Sequence, residues 1–142
     1  MSPECRLPLL AALVALLPAT VVAQEQRLDD FEQLAPWRAT ASDDVQASLR
    51  SSPGREGKAL CLDFDFGKVS GYAVARRALP LDLPEGNYEF SFDLKGDAPD
   101  NSFQFKLTDA SGDNVWWVNR PDTVFPREWQ TVRYKKRHIA FA

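Results

Sequence analysis

Histidine, cysteine and methionine are scarce: the chain has one His, two Cys and one Met in 142 residues. A structural zinc site needs four Cys or His ligands and a catalytic one about three protein ligands. A nucleophilic cysteine needs an activating base beside it. His138, alone in a basic run, with Cys5 and Cys61, furnishes neither. Also missing are a Gly-rich phosphate loop and a G-x-S-x-G elbow. Past residue 23 no stretch shows helical periodicity with start and stop signals. Glycoside hydrolysis needs two carboxyl groups placed about the scissile bond, and the mere abundance of Asp and Glu identifies no such pair. The segment is therefore expected to be non-catalytic.

Charge is equally uninformative in one direction. A formal net charge of -3 is too weak to imply a nucleic-acid or membrane partner. The run "RYKKRH" at 133–138 sits among strand-like residues and reads as a solvated strand face, since a nucleic-acid site needs a broader basic patch.

The one long apolar run lies at the front. Arg6 is followed by "LPLLAALVALLPATVVA", with Val21 and Ala23 where a signal peptidase reads, so residues 1–23 are expected to be a secretory signal peptide cleaved after Ala23. A membrane anchor needs roughly 20 unbroken apolar residues, and this run is shorter and carries Pro8 and Pro18. A lipoprotein anchor is disfavoured because Cys5 precedes the run. The expected compartment is secreted or periplasmic. Residues 24–142 would then hold Cys61 as their one cysteine, without an internal disulfide partner. The core alone must stabilise the domain, which is feasible at this length.

Alternation with period two recurs along that domain. In "KALCLDFDF", Leu60, Leu62, Phe64 and Phe66 oppose Cys61, Asp63 and Asp65. "YEFSFDL" sets Tyr88, Phe90, Phe92 and Leu94 against Glu89, Ser91 and Asp93, and "FQFKL" sets Phe103, Phe105 and Leu107 against Gln104 and Lys106. Turn formers separate these runs: "SSPGREG" at 51–57, "LPEGN" at 83–87, "KGDAPDN" at 95–101 and "DASGDN" at 109–114. Their Pro and Gly fix backbone angles that strands do not use, and Asp or Asn satisfy turn amides locally. The expected fold is all-β, an antiparallel sandwich of two sheets. "WQTVRYKKRHIAFA" enters a further strand and ends with "IAFA" still apolar, which would leave an edge or face uncovered. The domain at 24–142 is expected to be incomplete, the front of a longer protein.

Three stretches, "LDDFE" at 28–32, "GNYEFSFDLKGDAPDNSFQFKLTDASGDNVWWVNR" at 86–120 and "FPREWQTVRYKKRHIAFA" at 125–142, together resemble the galactose-binding-domain-like carbohydrate-binding modules. Such modules are carried at the front of bacterial secreted glycoside hydrolases. "LTDASGDNVWW" combined with "FPREWQ" is the most specific part. The resemblance implies a jelly roll of two packed sheets, often a bound structural calcium, and sugar binding on a concave sheet face or at loops on one rim. It also implies an attached catalytic domain as partner. The binding surface varies within the family, so no residue transfers as an established ligand.

The tandem Trp116 and Trp117 is the natural site candidate. Neighbouring residues on a strand point to opposite faces, so one indole is expected to be buried and the other to offer a platform for the apolar face of a poly- or oligosaccharide. Parity places Trp116 with Asn114 and Val118, and Trp117 with Val115 and Asn119, without fixing which ring is exposed. Asn114, Asn119 and Arg120, with Gln104 and Lys106 from the neighbouring strand, supply hydrogen-bond groups for the hydroxyl rim if the strands pair through the 109–114 hairpin. The alternative has both indoles buried. Trp129 is expected in the core, and Trp37 is open to either reading. Asp29, Asp30 and Glu32 cluster near residue 24 and are candidate oxygen ligands for calcium, or else a solvated acidic strand end. "DASGDN" lacks the spacing of a calcium-binding EF-hand loop and reads as a hairpin turn. A second functional reading is an interaction module packing on a downstream catalytic domain, with the aromatics in that interface.

Overall fold

A computed structural model describes residues 24–142; the signal-peptide expectation for residues 1–23 lies outside the described residues. The described chain is all-β, built from β1 (Arg38–Ala41), β2 (Gln46–Pro53), β3 (Lys58–Asp65), β4 (Ala73–Arg76), β5 (Glu89–Leu94), β6 (Asn101–Thr108), β7 (Val115–Thr123), β8 (Gln130–Lys135) and β9 (Ala140–Phe141). A single 3-10 turn, Lys136–His138, interrupts the strands. No helix among the described residues is long and apolar enough to cross a membrane.

The strands pair antiparallel as β1 with β4, β2 with β3, β5 with β8, and β6 with β7 with β9. Four small sheets thus stand where two were expected. One of these sheets is limited by strand length, since its two strands, β1 and β4, have only four residues each. The segment between β4 and β5 carries Pro80 and Pro84, which supply no ladder donor.

Alternation in the sequence becomes alternation in burial. Along β5 and β6 every second residue is covered, with Phe90, Phe92, Leu94, Phe103, Phe105 and Leu107 turned inward. The inward rings join the β5–β8 and β6–β7 pairs: Phe90 lies 5.1 Å from Phe105, Phe92 5.7 Å from Tyr134, and Phe105 5.7 Å from Tyr134, centroid to centroid. Val118 and Tyr134 are the most deeply covered members of this layer, at 1% and 5% exposure. Burial pushes the Tyr134 phenol up, while the Arg120 guanidinium beside it pulls the other way and loses. On β3 the faces are less distinct, because Ala59 is buried and Cys61 is half-buried on what reads as its polar side.

Two hairpins set the registers that matter. At the β2–β3 turn the Gly54 N–H donates to the Gly57 carbonyl at 2.9 Å. A Cβ on Gly54 would stand 2.8 Å from the carbonyl oxygens of Glu56 and Lys58, too close for any other residue. At the β6–β7 turn Gly112 has φ of 83°, a left-handed conformation that suits glycine. This turn aligns Lys106 with Trp117 and Gln104 with Asn119. Further along, Pro121 and Asp122 (φ 53°) coincide with a register shift between Asn101 and Phe103. Proline lacks the N–H a regular ladder needs, and a bulge accommodates it.

The basic run divides. Arg133 and Lys135 occupy exposed β8 positions, whereas Lys136–His138 form the 3-10 turn. The His138 Nδ1 accepts the Lys135 N–H at 3.3 Å, so this imidazole serves the turn.

Candidate functional site

The β6–β7 hairpin decides which tandem residue faces where. Its turn is organised by one carboxylate. Asp109 Oδ1 accepts the Ser111 hydroxyl at 2.6 Å and the Gly112 N–H at 3.0 Å, and its Oδ2 accepts the Asn114 amide at 2.6 Å. These donors, Asn114 first and Ser111 next, hold the Asp109 carboxyl down to about 2. Asn114 is therefore committed to the turn, away from the strand face.

With that register, Trp117 lies directly opposite Lys106, and Asn119 opposite Gln104. These four share the outward face of the pair. The Lys106 ammonium sits 5.2 Å from the centre of the Trp117 ring, a cation–π contact worth about 0.5 to 1 kcal/mol at an exposed site. The Gln104 Nε2 donates to the Asn119 Oδ1 at 3.3 Å. Two amides thus lie side by side next to a cation and a half-covered indole, which combines an apolar plane with several unfilled donors and acceptors.

Trp116 takes the other face, opposite Leu107 and beside Phe141 of β9 at 5.6 Å between centroids. It is 38% exposed, and Phe141 is 63% exposed. The expectation that one indole is buried is corrected: both reach solvent, Trp116 beside Leu107 and the exposed Phe141, and Trp117 half-buried beneath Lys106. Arg120 belongs to the inward side, its guanidinium 5.9 Å from the Tyr134 ring centre. Of the seven sequence candidates, the fold brings together Gln104, Lys106, Trp117 and Asn119, and sets Trp116, Asn114 and Arg120 apart. Trp129 is half-buried just before β8.

Asp29, Asp30 and Glu32 disperse. Asp29 accepts the Phe31 N–H at 2.7 Å and the Trp37 indole N–H at 2.9 Å, and it ion-pairs with Arg77. Burial raises its carboxyl, but those hydrogen bonds and the Arg77 charge outweigh burial and lower it overall. Asp30 accepts the Glu32 N–H at 3.0 Å, and Glu32 turns to the Lys58 N–H at 2.9 Å. Calcium takes six to eight oxygen ligands around one point, and these three carboxylates do not converge on one. Among the described residues no group of three or more His, Cys, Asp or Glu side chains is placed to hold a metal ion. As placed, Asp29, Asp30 and Glu32 do not together form the calcium site expected of them. Sequence reading missed the Asp29, Trp37 and Arg77 node, whose partners lie up to 48 residues apart. A cluster built from such distant residues leaves no local pattern.

Comparison of the chain with protein-family models, with curated proteins and with solved structures returned no match.

Proposed function

We propose that this chain is a non-catalytic carbohydrate-binding module of the galactose-binding-like jelly-roll kind, acting outside the cell or in the periplasm and holding an attached glycoside hydrolase near its polysaccharide. The observation that carries this reading is the outward face of β6 and β7, where Trp117 stands among Lys106, Gln104 and Asn119. A pyranose offers an apolar C–H face and a rim of hydroxyls. An indole matches the first, and amides with an ammonium match the second. Such an open site binds each sugar weakly, and its benefit to an attached enzyme is a raised effective concentration.

Affinity electrophoresis through gels containing candidate polysaccharides tests it. Trp117→Ala is expected to lose the retardation of the parent chain while its circular-dichroism spectrum stays that of a β protein. Unchanged migration of that variant would remove the platform.

A second reading, an interaction module packing on a catalytic domain, is favoured by the exposed Trp116 and Phe141 pair on the opposite face. It predicts no hit on a sugar array.

A further inference from the structure

We infer that the β6–β7 face selects an acidic saccharide, a chain bearing uronate carboxylates, with Lys106 as the residue that recognises the charge. This rests on the reading of Trp117 as a sugar platform and adds the class of sugar.

Among the described residues several strand cations, Arg38, Arg76, Arg120 and Lys135, share with Lys106 the lack of an ion pair; Lys106 is set apart by lying over Trp117 on the face that also holds Gln104 and Asn119. Arg50 has Asp63 at 2.6 Å, and Arg133 has Glu89 at 2.9 Å, each a carboxylate diagonally across its ladder. Around Lys106 the ladder offers Trp117 directly opposite, with Val115 and Asn119 on the diagonals, so no carboxylate is supplied. Among the described residues Lys106 enters no ion pair. Its ammonium rests on the indole instead.

That placement discriminates between sugars. A ring stacking on Trp117 must share or displace the ammonium lying 5.2 Å from the indole centre. A neutral pyranose offers the displaced cation hydroxyl oxygens in return. A uronate offers a carboxylate on the ring's edge, and a charge-assisted hydrogen bond is roughly twice as strong as a neutral one. The paired amides of Gln104 and Asn119, 3.3 Å apart, remain for hydroxyls along the same chain. The net charge of -3 opposes long-range attraction of a polyanion, so recognition is local to this lysine and a stacked ring is required with it.

The test is affinity electrophoresis of the chain in gels of polygalacturonate, of neutral galactan and of dextran sulfate. The expected result is retardation by polygalacturonate above that by galactan, weakened by added salt as screening grows. Lys106→Met, which keeps most of the apolar stem, should weaken the acidic interaction by about tenfold or more, the loss of one hydrogen bond to a charged group. Lys106→Arg should preserve it, and Trp117→Ala should abolish it. Equal retention on the acidic and neutral gels, or a Lys106→Met chain that still prefers polygalacturonate, would overturn the inference and leave the sugar platform standing. Binding to dextran sulfate that survives Trp117→Ala would overturn it as simple ion exchange. No retention on any neutral or acidic polysaccharide would overturn both readings.

Discussion

Lys106 and Trp117 face each other across the β6–β7 ladder, ammonium over indole at 5.2 Å. The pair is local to one hairpin, yet its two residues are eleven positions apart, and they meet through the register that starts at the Asp109–Asn114 turn. In a double-mutant cycle on urea unfolding, Lys106→Ala and Trp117→Ala are expected to couple by about 0.5 to 1 kcal/mol. A coupling near zero would mean that solvent, and not the ring, holds the cation.

The turn can be probed separately. Asp109 receives Asn114, Ser111 and Gly112 as donors, which depress its carboxyl to about 2. An NMR pH titration of Asp109 should show a midpoint well below the usual carboxylate value of roughly 3.9. Asn114→Ala, which removes the leading donor, should move the midpoint upward. Because the folded carboxyl is depressed, its contribution to stability is present above the unfolded value and is lost as pH falls toward about 2. A midpoint unchanged by Asn114→Ala would show that the Ser111 hydroxyl and the backbone donors suffice.

The strands were legible where alternation was strict. Tyr88 to Leu94 and Phe103 to Leu107 follow the expected in-and-out pattern in the fold, because side-chain direction on a strand is a local property. The exposed indole was not legible, since facing depends on cross-strand register and on what covers each face. Trp116 shares the inward side with Val118, yet Val118 is buried and Trp116 is 38% exposed. Parity identifies a face; it says nothing of where along the strand the cover stops. The carboxylates near residue 24 illustrate a different limit. Adjacency suggested a shared ion, whereas Asp29 finds a guanidinium from residue 77 and an indole from residue 37.

That node should be the most sensitive polar contact in the domain. The side chains of Asp29 and Arg77 are 12% and 21% exposed, and the Arg77 Nε is buried without a hydrogen-bond partner. Asp29→Ala strips the guanidinium of its counter-charge and releases the Trp37 indole and Phe31 amide. A loss of about 1 to 3 kcal/mol is expected in urea unfolding, the cost of leaving a charged partner unsatisfied. Replacing Arg77 by Met in the same chain should recover part of it. The Asp29 carboxyl is lowered, so its contribution is complete above roughly pH 4 and declines as pH falls through the folded value. A double variant no more stable than Asp29→Ala would locate the loss in Trp37 and Phe31 instead.

Cys61 offers a check on the neighbouring hairpin. It stands directly opposite Arg50, whose guanidinium is turned onto Asp63 with contacts of 2.6 and 3.2 Å. The Sγ lies 3.8 Å from the Asp63 Oδ1. Burial pushes the thiol up, the Asp63 charge adds to the effect, and Arg50 opposes both without prevailing. The thiolate is the reactive form, so alkylation by iodoacetamide at about pH 7.5 should be slower than that of free cysteine. Asp63→Asn removes the opposing charge and frees Arg50 to favour the thiolate, and should accelerate alkylation several-fold. Arg50→Met leaves Asp63 unopposed and should slow it. If both variants instead react faster, opening of the β2–β3 hairpin rather than thiol charge controls access, because each substitution breaks the same ion pair.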